Sequence, residues 1–148
     1  MEAMEKEFGL NKREVTDLLR TRGINPTTQR VEIAYLLLRE PQHLCADEIF
    51  SRLNKEYEQV SQATVYNTLR LFVEKGVSRE LIFSPDRIYY DSNTAPHHHF
   101  IDVDTGQILD VPMNAVNYPE IEGLDAEILN VSLIIRGRLK GSELTRRD

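Results

Sequence analysis

Residues 61–91 change their hydrophobic period in mid-course, and that change limits the folds open to the chain. The segment SQATVYNTLRLFVEKG carries Ser61 where a helix N-cap belongs and Gly76 behind Lys75 as a C-cap. Between them Val65, Leu69 and Phe72 or Val73 make a buried stripe at helical spacing. The next two runs, VSRELIF and RIYYD, read as short strands joined at Ser84-Pro85-Asp86, a hairpin. Shorter helical patterns precede the long one. Residues 11–22 place Val15, Leu18 and Leu19 on one face and stop at Gly23. Thr27 or Thr28 caps a second helix with Val31, Ile33, Ala34, Leu37 and Leu38 inside, closed by Pro41. CADEIFSRLNKEYE supplies a third, with acidic residues in the first turn where the helix dipole favours them. Short helices followed by a hairpin is the order of a winged helix-turn-helix.

Beyond it SNTAP has linker composition, and HHFIDV and QILDV alternate around Asp104-Thr105-Gly106 as a second hairpin. A weak helical stretch near 112–122 and a strong strand, ILNVSLIIRGRL, follow. The expected fold is α+β: an N-terminal winged helix-turn-helix domain at 1–91, a hinge at 92–96, and a small α/β dimerisation domain at 97–148. The alternating apolar positions of the last strand suit pairing with the same strand of a second chain, around Leu129–Leu139.

Charge divides at the same place. Residues 1–90 hold 13 Lys and Arg against 14 Asp and Glu, whereas 91–148 hold 5 against 10. Only the first part can approach an anion, and the acidity overall argues against sequence-blind binding to nucleic acid. The single cysteine, Cys45, excludes an internal disulfide and a thiolate zinc site. No apolar run approaches the 18 residues a membrane span needs, so a cytoplasmic protein without a membrane partner is expected.

The second helix of a helix-turn-helix lies in the major groove and offers its N-terminal half to base edges. Here that half carries Ser61, Gln62, Thr64, Tyr66, Asn67 and Arg70. Tyr66 and Thr64 suit thymine methyls, and Arg70 suits a guanine edge or a phosphate. Arg30 is a candidate backbone contact or a surface ion-pair partner. The bland reading of the helix is a solvated amphipathic face; the hairpin and the nearby Arg20, Arg22 and Arg30 weigh against it.

Taken in order, TTQRVEIAYLLL, QHLCADEIFSRL, VSQATVYNTLRLFVEKG, YYDSNTAPHHHF and DTGQILDV resemble the ferric uptake regulator (Fur) superfamily, collinearly over roughly residues 15–140. The likeness is strongest to its peroxide-responsive PerR and iron-responsive Irr branches. By motif, the regulatory metal site of the PerR branch falls on His43, Asp91, His97, His99 and Asp110. Three imidazoles and two carboxylates without thiolate suit Fe²⁺ or Mn²⁺, with Zn²⁺ as a competitor. Strand alternation sends His98 to the opposite face. There a second metal site with Glu120 or Glu122, a haem-ligand role, or a plain surface position is open to it. Cys45 reads as a packed or capping residue.

The chain also departs from the family pattern. Where most relatives hold a structural zinc with two C-x-x-C pairs, it reads Asp102-Val103-Asp104-Thr105 and RGRLKGSE, so no structural four-cysteine zinc is expected. The lysine that many relatives send into the minor groove is replaced by Asn25, and Cys45 is followed by Ala46 rather than the proline of a haem motif. The resemblance implies a dimeric, metal-dependent repressor of transcription that binds palindromic double-stranded operator DNA. Its signal would be peroxide, through oxidation of His43 or His97, or alternatively iron or haem status. The rivals are a non-haem iron or manganese enzyme and a metal-independent DNA-binding protein.

Overall fold

The computed structural model describes residues 8–117 and 121–141. Contacts divide the chain into two compact units, Met1–Ala95 and Pro96–Asp148. A separate three-stranded sheet lies in each.

The first unit runs α1 (Lys12–Thr21), α2 (Thr28–Leu37), β1 (His43–Cys45), α3 (Ala46–Leu53), α4 (Gln62–Glu74), β2 (Arg79–Ser84) and β3 (Arg87–Asp91). That is a winged helix. Asn11 caps α1 in a reciprocal box with Glu14, while Thr27 rather than Thr28 caps α2, accepting from the Arg30 N–H. The apolar stripes meet in one core that includes Val15, Leu19, Ile33, Leu37, Ile49, Val65, Leu69 and Phe72. Phe72 is fully buried, so Phe72→Ala would cost about 3–5 kcal/mol and endanger the unit.

Two sequence readings of this unit change. The third helix stops at Leu53 instead of running through Glu58. Its C-cap Asn54 accepts from the Gln59 and Val60 N–H groups and donates to the Val60 carbonyl, folding the chain back toward α4. The strand β1 has no counterpart in the sequence pattern, and it makes the sheet β1-β3-β2 instead of a bare hairpin.

In the second unit β4 (His97–Asp102) pairs antiparallel with β5 (Ile108–Pro112) and parallel with β6 (Ile134–Gly137). Gly106 makes the hairpin turn at φ +75°. Gly137 is needed for closeness: an added Cβ would lie 3.1 Å from the Phe100 ring. The stretch near 112–122 is a 3-10 turn at Met113–Ala115, with residues 118–120 outside the described part. The strand expected over 128–139 is formed only at Ile134–Gly137. Its ladder on β4 starts where His99 meets Ile134, and the preceding residues lie beyond that register. They leave Ile128 and Leu129 exposed, the latter by 87%.

Asp102 fastens this sheet. Its Oδ1 accepts from the Asp104 and Thr105 N–H groups and its Oδ2 from the Leu139 N–H, so one carboxylate holds both the hairpin turn and the segment after β6. The Leu139 N–H is the main reason that its carboxyl lies below the usual carboxylate range. A depressed folded pKa gives a contribution that is complete above the ordinary value of about 4 and lost as pH falls through the lowered one. Asp102→Asn should therefore lower the thermal midpoint at neutral pH, and the gap from the parent should narrow on acidification below about pH 4. Parallel midpoints at every pH would show that the carboxylate does not clamp the sheet.

Candidate metal centre and nucleic-acid face

Strand register sets the first group of candidate ligands. β1 and β3 pair so that His43 faces Asp91, and side chains directly opposite in an antiparallel pair lie on one face of the sheet. His43 Nε2 is 3.3 Å from Asp91 Oδ2, with both side chains largely buried. The other carboxylate oxygen, Oδ1, accepts from the Asn93 N–H at 2.8 Å, and the Asn93 side chain accepts from the Ala95 N–H. Asp91 thus anchors the turn that leaves the sheet.

The second unit repeats the device. His99 faces Asp110 across β4 and β5, and His97 lies two residues along the same face. Asp110 Oδ1 is 3.3 Å from His97 Nε2 and 3.7 Å from His99 Nε2. The two imidazole centroids are 4.5 Å apart. Two donors each about 2.1 Å from one ion, 90–110° apart, are about 3.0–3.4 Å from each other. The distances within each group are close to that spacing, and the donor chemistry of imidazole and carboxylate suits a first-row dication.

His98 points away from these residues and is fully buried. Its Nδ1 accepts from the Leu133 N–H at 3.1 Å, which ties the chain before β6 to β4. Among the described residues neither His98 nor Glu122 belongs to a group of three potential ligands; Glu122 is exposed, and Glu120 lies outside the described residues. Cys45 is the N-cap residue of α3 but makes no side-chain cap; its thiol is buried and donates to Glu48 Oε1 at 3.2 Å. Burial pushes its pKa up.

The candidate DNA-facing residues divide into two kinds. Tyr66, Asn67 and Arg70 form an exposed stripe on α4, opposite the buried Val65, Thr68, Leu69 and Phe72. Ser61 and Thr64 serve the helix itself: Ser61 Oγ accepts from the Thr64 N–H and donates to Thr64 Oγ1. Arg30 makes no ion pair among the described residues; its Nη1 donates to the Asn25 carbonyl at 3.0 Å. An open concavity of about 440 Å³ is lined by Thr27, Arg30, Thr64, Asn67, Arg70 and Glu74. Arg87 at the exposed tip of the β2–β3 hairpin is a further cation beside Tyr66, around the same small cleft, that the sequence reading passed over. Its place in the turn after Pro85-Asp86 was the available signal.

Comparison with known proteins follows the same lines. A sequence model of the ferric uptake regulator family matches residues 21–135. The peroxide-responsive repressor PerR of Staphylococcus aureus is 38% identical over 106 residues, covering 72% of this chain and 70% of that protein. The ferric uptake regulator of Francisella tularensis, solved with iron, matches with a TM-score of 0.70 at 28% identity, over 82% of this chain and 96% of that one. A zinc-bound manganese uptake regulator gives a TM-score of 0.60 at 26% identity, over 84% and 98% of the two chains. No described helix is long and apolar enough to cross a membrane.

The His98 bond makes a local prediction. His98→Leu leaves the Leu133 N–H without its acceptor and should cost about 1–3 kcal/mol in denaturant titrations, while metal stoichiometry stays unchanged. A loss of one bound metal, or of haem absorbance, with stability intact would instead make His98 a ligand.

Proposed function

The chain belongs to the ferric uptake regulator family, whose members are transcriptional regulators rather than enzymes, and on that footing we propose that it is a dimeric, metal-dependent repressor of the peroxide-responsive type. The observation that carries this reading is the pair of cross-strand groups, His43 with Asp91 and His97 and His99 with Asp110. In this proposal all five residues hold one ion and so tie the two units together across residues 92–96. The two carboxylates neutralise a dication, and without it they repel each other. The proposed ion is Fe²⁺ or Mn²⁺, with Zn²⁺ as a competitor; thiolate, which would favour zinc, is missing from the set.

The homodimer is the natural way to cover the exposed Ile121, Leu124, Ile128 and Leu129 of the second unit. Two copies then present two α4 helices to the half-sites of a palindromic double-stranded operator. Tyr66, Asn67 and Arg70 reach base edges, while Arg30 and Thr64 flank the backbone. With Fe²⁺ bound, the site would supply iron chemistry toward peroxide, and His43 or His97 would take up one peroxide oxygen while the O–O bond breaks and the other oxygen leaves as water. An oxidised imidazole is a poorer donor, so the tie between the units loosens and DNA is released.

Binding to a selected operator duplex, with chelator or with each metal, tests the reading. Tyr66→Ala and Arg70→Ala should each weaken operator binding by about 1–3 kcal/mol with metal affinity retained. Unchanged affinity in both would remove α4 from recognition. The dimer should survive strong chelation; monomers after chelation would mean that a metal holds it.

Peroxide separates the signals. The Fe²⁺ form should lose operator binding and gain about one oxygen atom in mass on a peptide carrying His43 or His97–His99, whereas the Mn²⁺ form keeps its DNA. Asp110→Glu should reduce this sensitivity more than it reduces metal affinity. Release by haem or by iron loss, with no histidine oxidised, would assign the chain to the iron-responsive branch instead.

A further inference from the structure

Helix α2 ends just before the strand that bears His43, and two side chains outside the ligand set join them. The Gln42 carboxamide donates to the Leu36 carbonyl at 2.8 Å and to the Leu37 carbonyl at 3.0 Å, the last acceptors of α2. Ser92 is fully buried beside Asp91. Its Oγ accepts from the Gln42 N–H at 3.0 Å and donates to the Glu40 carbonyl at 3.0 Å. Its own N–H donates to the Gln42 carbonyl at 3.2 Å, extending the β1–β3 ladder one residue past His43 and Asp91.

Each of these two residues is therefore the chain neighbour of a proposed ligand, and together they grip the C-terminus of α2. The other end of α2, about 15 Å away for ten residues, carries Thr27 and Arg30 into the concavity shared with Thr64, Asn67 and Arg70 of α4. Leu37 and Leu38 also hold α2 in the core, but apolar contact is non-directional and resists separation better than sliding. The hydrogen bonds of Gln42 and Ser92 fix the helix along its axis relative to the ligand-bearing strands.

We propose that Gln42 and Ser92 are positioning residues that transmit the state of the His43–Asp91 pair to helix α2 and so to the DNA face. This rests on the reading of His43 and Asp91 as metal ligands. A shift of β1 against β3 when the pair takes up an ion moves the Gln42–Ser92 junction with it. The junction carries α2, and α2 carries Arg30. Without the junction, the ligand pair can close while α2 stays where the apolar core leaves it.

The test uses the full chain with Mn²⁺, which avoids ligand oxidation. Gln42→Leu keeps the volume and removes both donors; Ser92→Ala removes the hydroxyl with little change of shape. For each, Mn²⁺ affinity without DNA and operator affinity with saturating Mn²⁺ or with chelator are measured. Both variants should keep Mn²⁺ affinity within about threefold, while the factor by which Mn²⁺ tightens operator binding falls about tenfold. Linkage requires the tightening of Mn²⁺ by operator to fall by the same factor. Gln42→Lys, which restores a donor to the α2 carbonyls, should recover part of it.

An unchanged factor in both variants would overturn the proposal. So would an equal loss of operator affinity with and without Mn²⁺, which is what a purely structural brace gives. A parent protein whose operator binding ignores Mn²⁺ would overturn the ligand reading and this inference together; a metal-dependent parent with fully coupled variants overturns this inference alone.

Discussion

Register between antiparallel strands is the constraint from which the rest of the candidate site follows. His43 stands opposite Asp91 on β1 and β3, and His99 opposite Asp110 on β4 and β5. Because side chains alternate with a period of two, a slip of one residue in either ladder would turn a histidine from its carboxylate to the other face. The apolar neighbours guard against it. Leu44 and Tyr90 are paired and packed in the core from the opposite face of β1 and β3, so a slipped register would turn them out of the core toward the histidine and aspartate face. Placement of the donors is thus a by-product of core packing, and no loop has to be held in an unusual backbone conformation to bring them within 3.7 Å.

The second unit needs another kind of fastening. Its sheet has three short strands, and its exposed apolar side chains contribute little to a single copy. Two buried polar groups compensate locally. Asp102 gathers three backbone N–H groups from the hairpin turn and from Leu139, and His98 receives the Leu133 N–H. The Asp102 carboxylate thus ties the hairpin turn after β4 to the segment that follows β6. Arg138 adds its Nε–H, shared between the two carboxylate oxygens of Asp104 at 3.0 and 3.2 Å, across that junction.

Long periodic segments were legible in the sequence, and so was the order of helices and hairpins. Ser61, Thr27 and Gly106 mark their ends because capping and turn formation are local chemistry, decided within three or four residues. β1 was not legible. Three residues show no period, and His43–Cys45 becomes a strand only because β3, far along the chain, offers it an edge. The 128–139 region failed for the opposite reason: its alternation is a real β signal, but a strand needs a partner, and β4 supplies one only from Ile134 onward. Residue types at the candidate site were readable from PHHHF, YYDSN and QILDV. The Gln42–Ser92 junction was not, since the bond that closes it links residues 50 positions apart.

Cysteine placement bears on the proposed response to peroxide. A thiol sensor needs a thiolate that solvent can reach. Cys45, the single cysteine of the chain, is buried, its thiol is donated to Glu48, and burial pushes its pKa up, outweighing the Glu48 N–H that lowers it. Glu48 raises the barrier further, because a carboxylate beside the sulfur repels the anion that would have to form. Oxidation at this position would also drive a polar group into the contact between β1 and α3, next to Leu44 and Ala46. The histidines have a different setting: His43 Nε2 lies 3.3 Å from an Asp91 oxygen and His97 Nε2 3.3 Å from an Asp110 oxygen. The proposed peroxide response therefore rests on the imidazoles and their carboxylates, and not on the buried sulfur of Cys45.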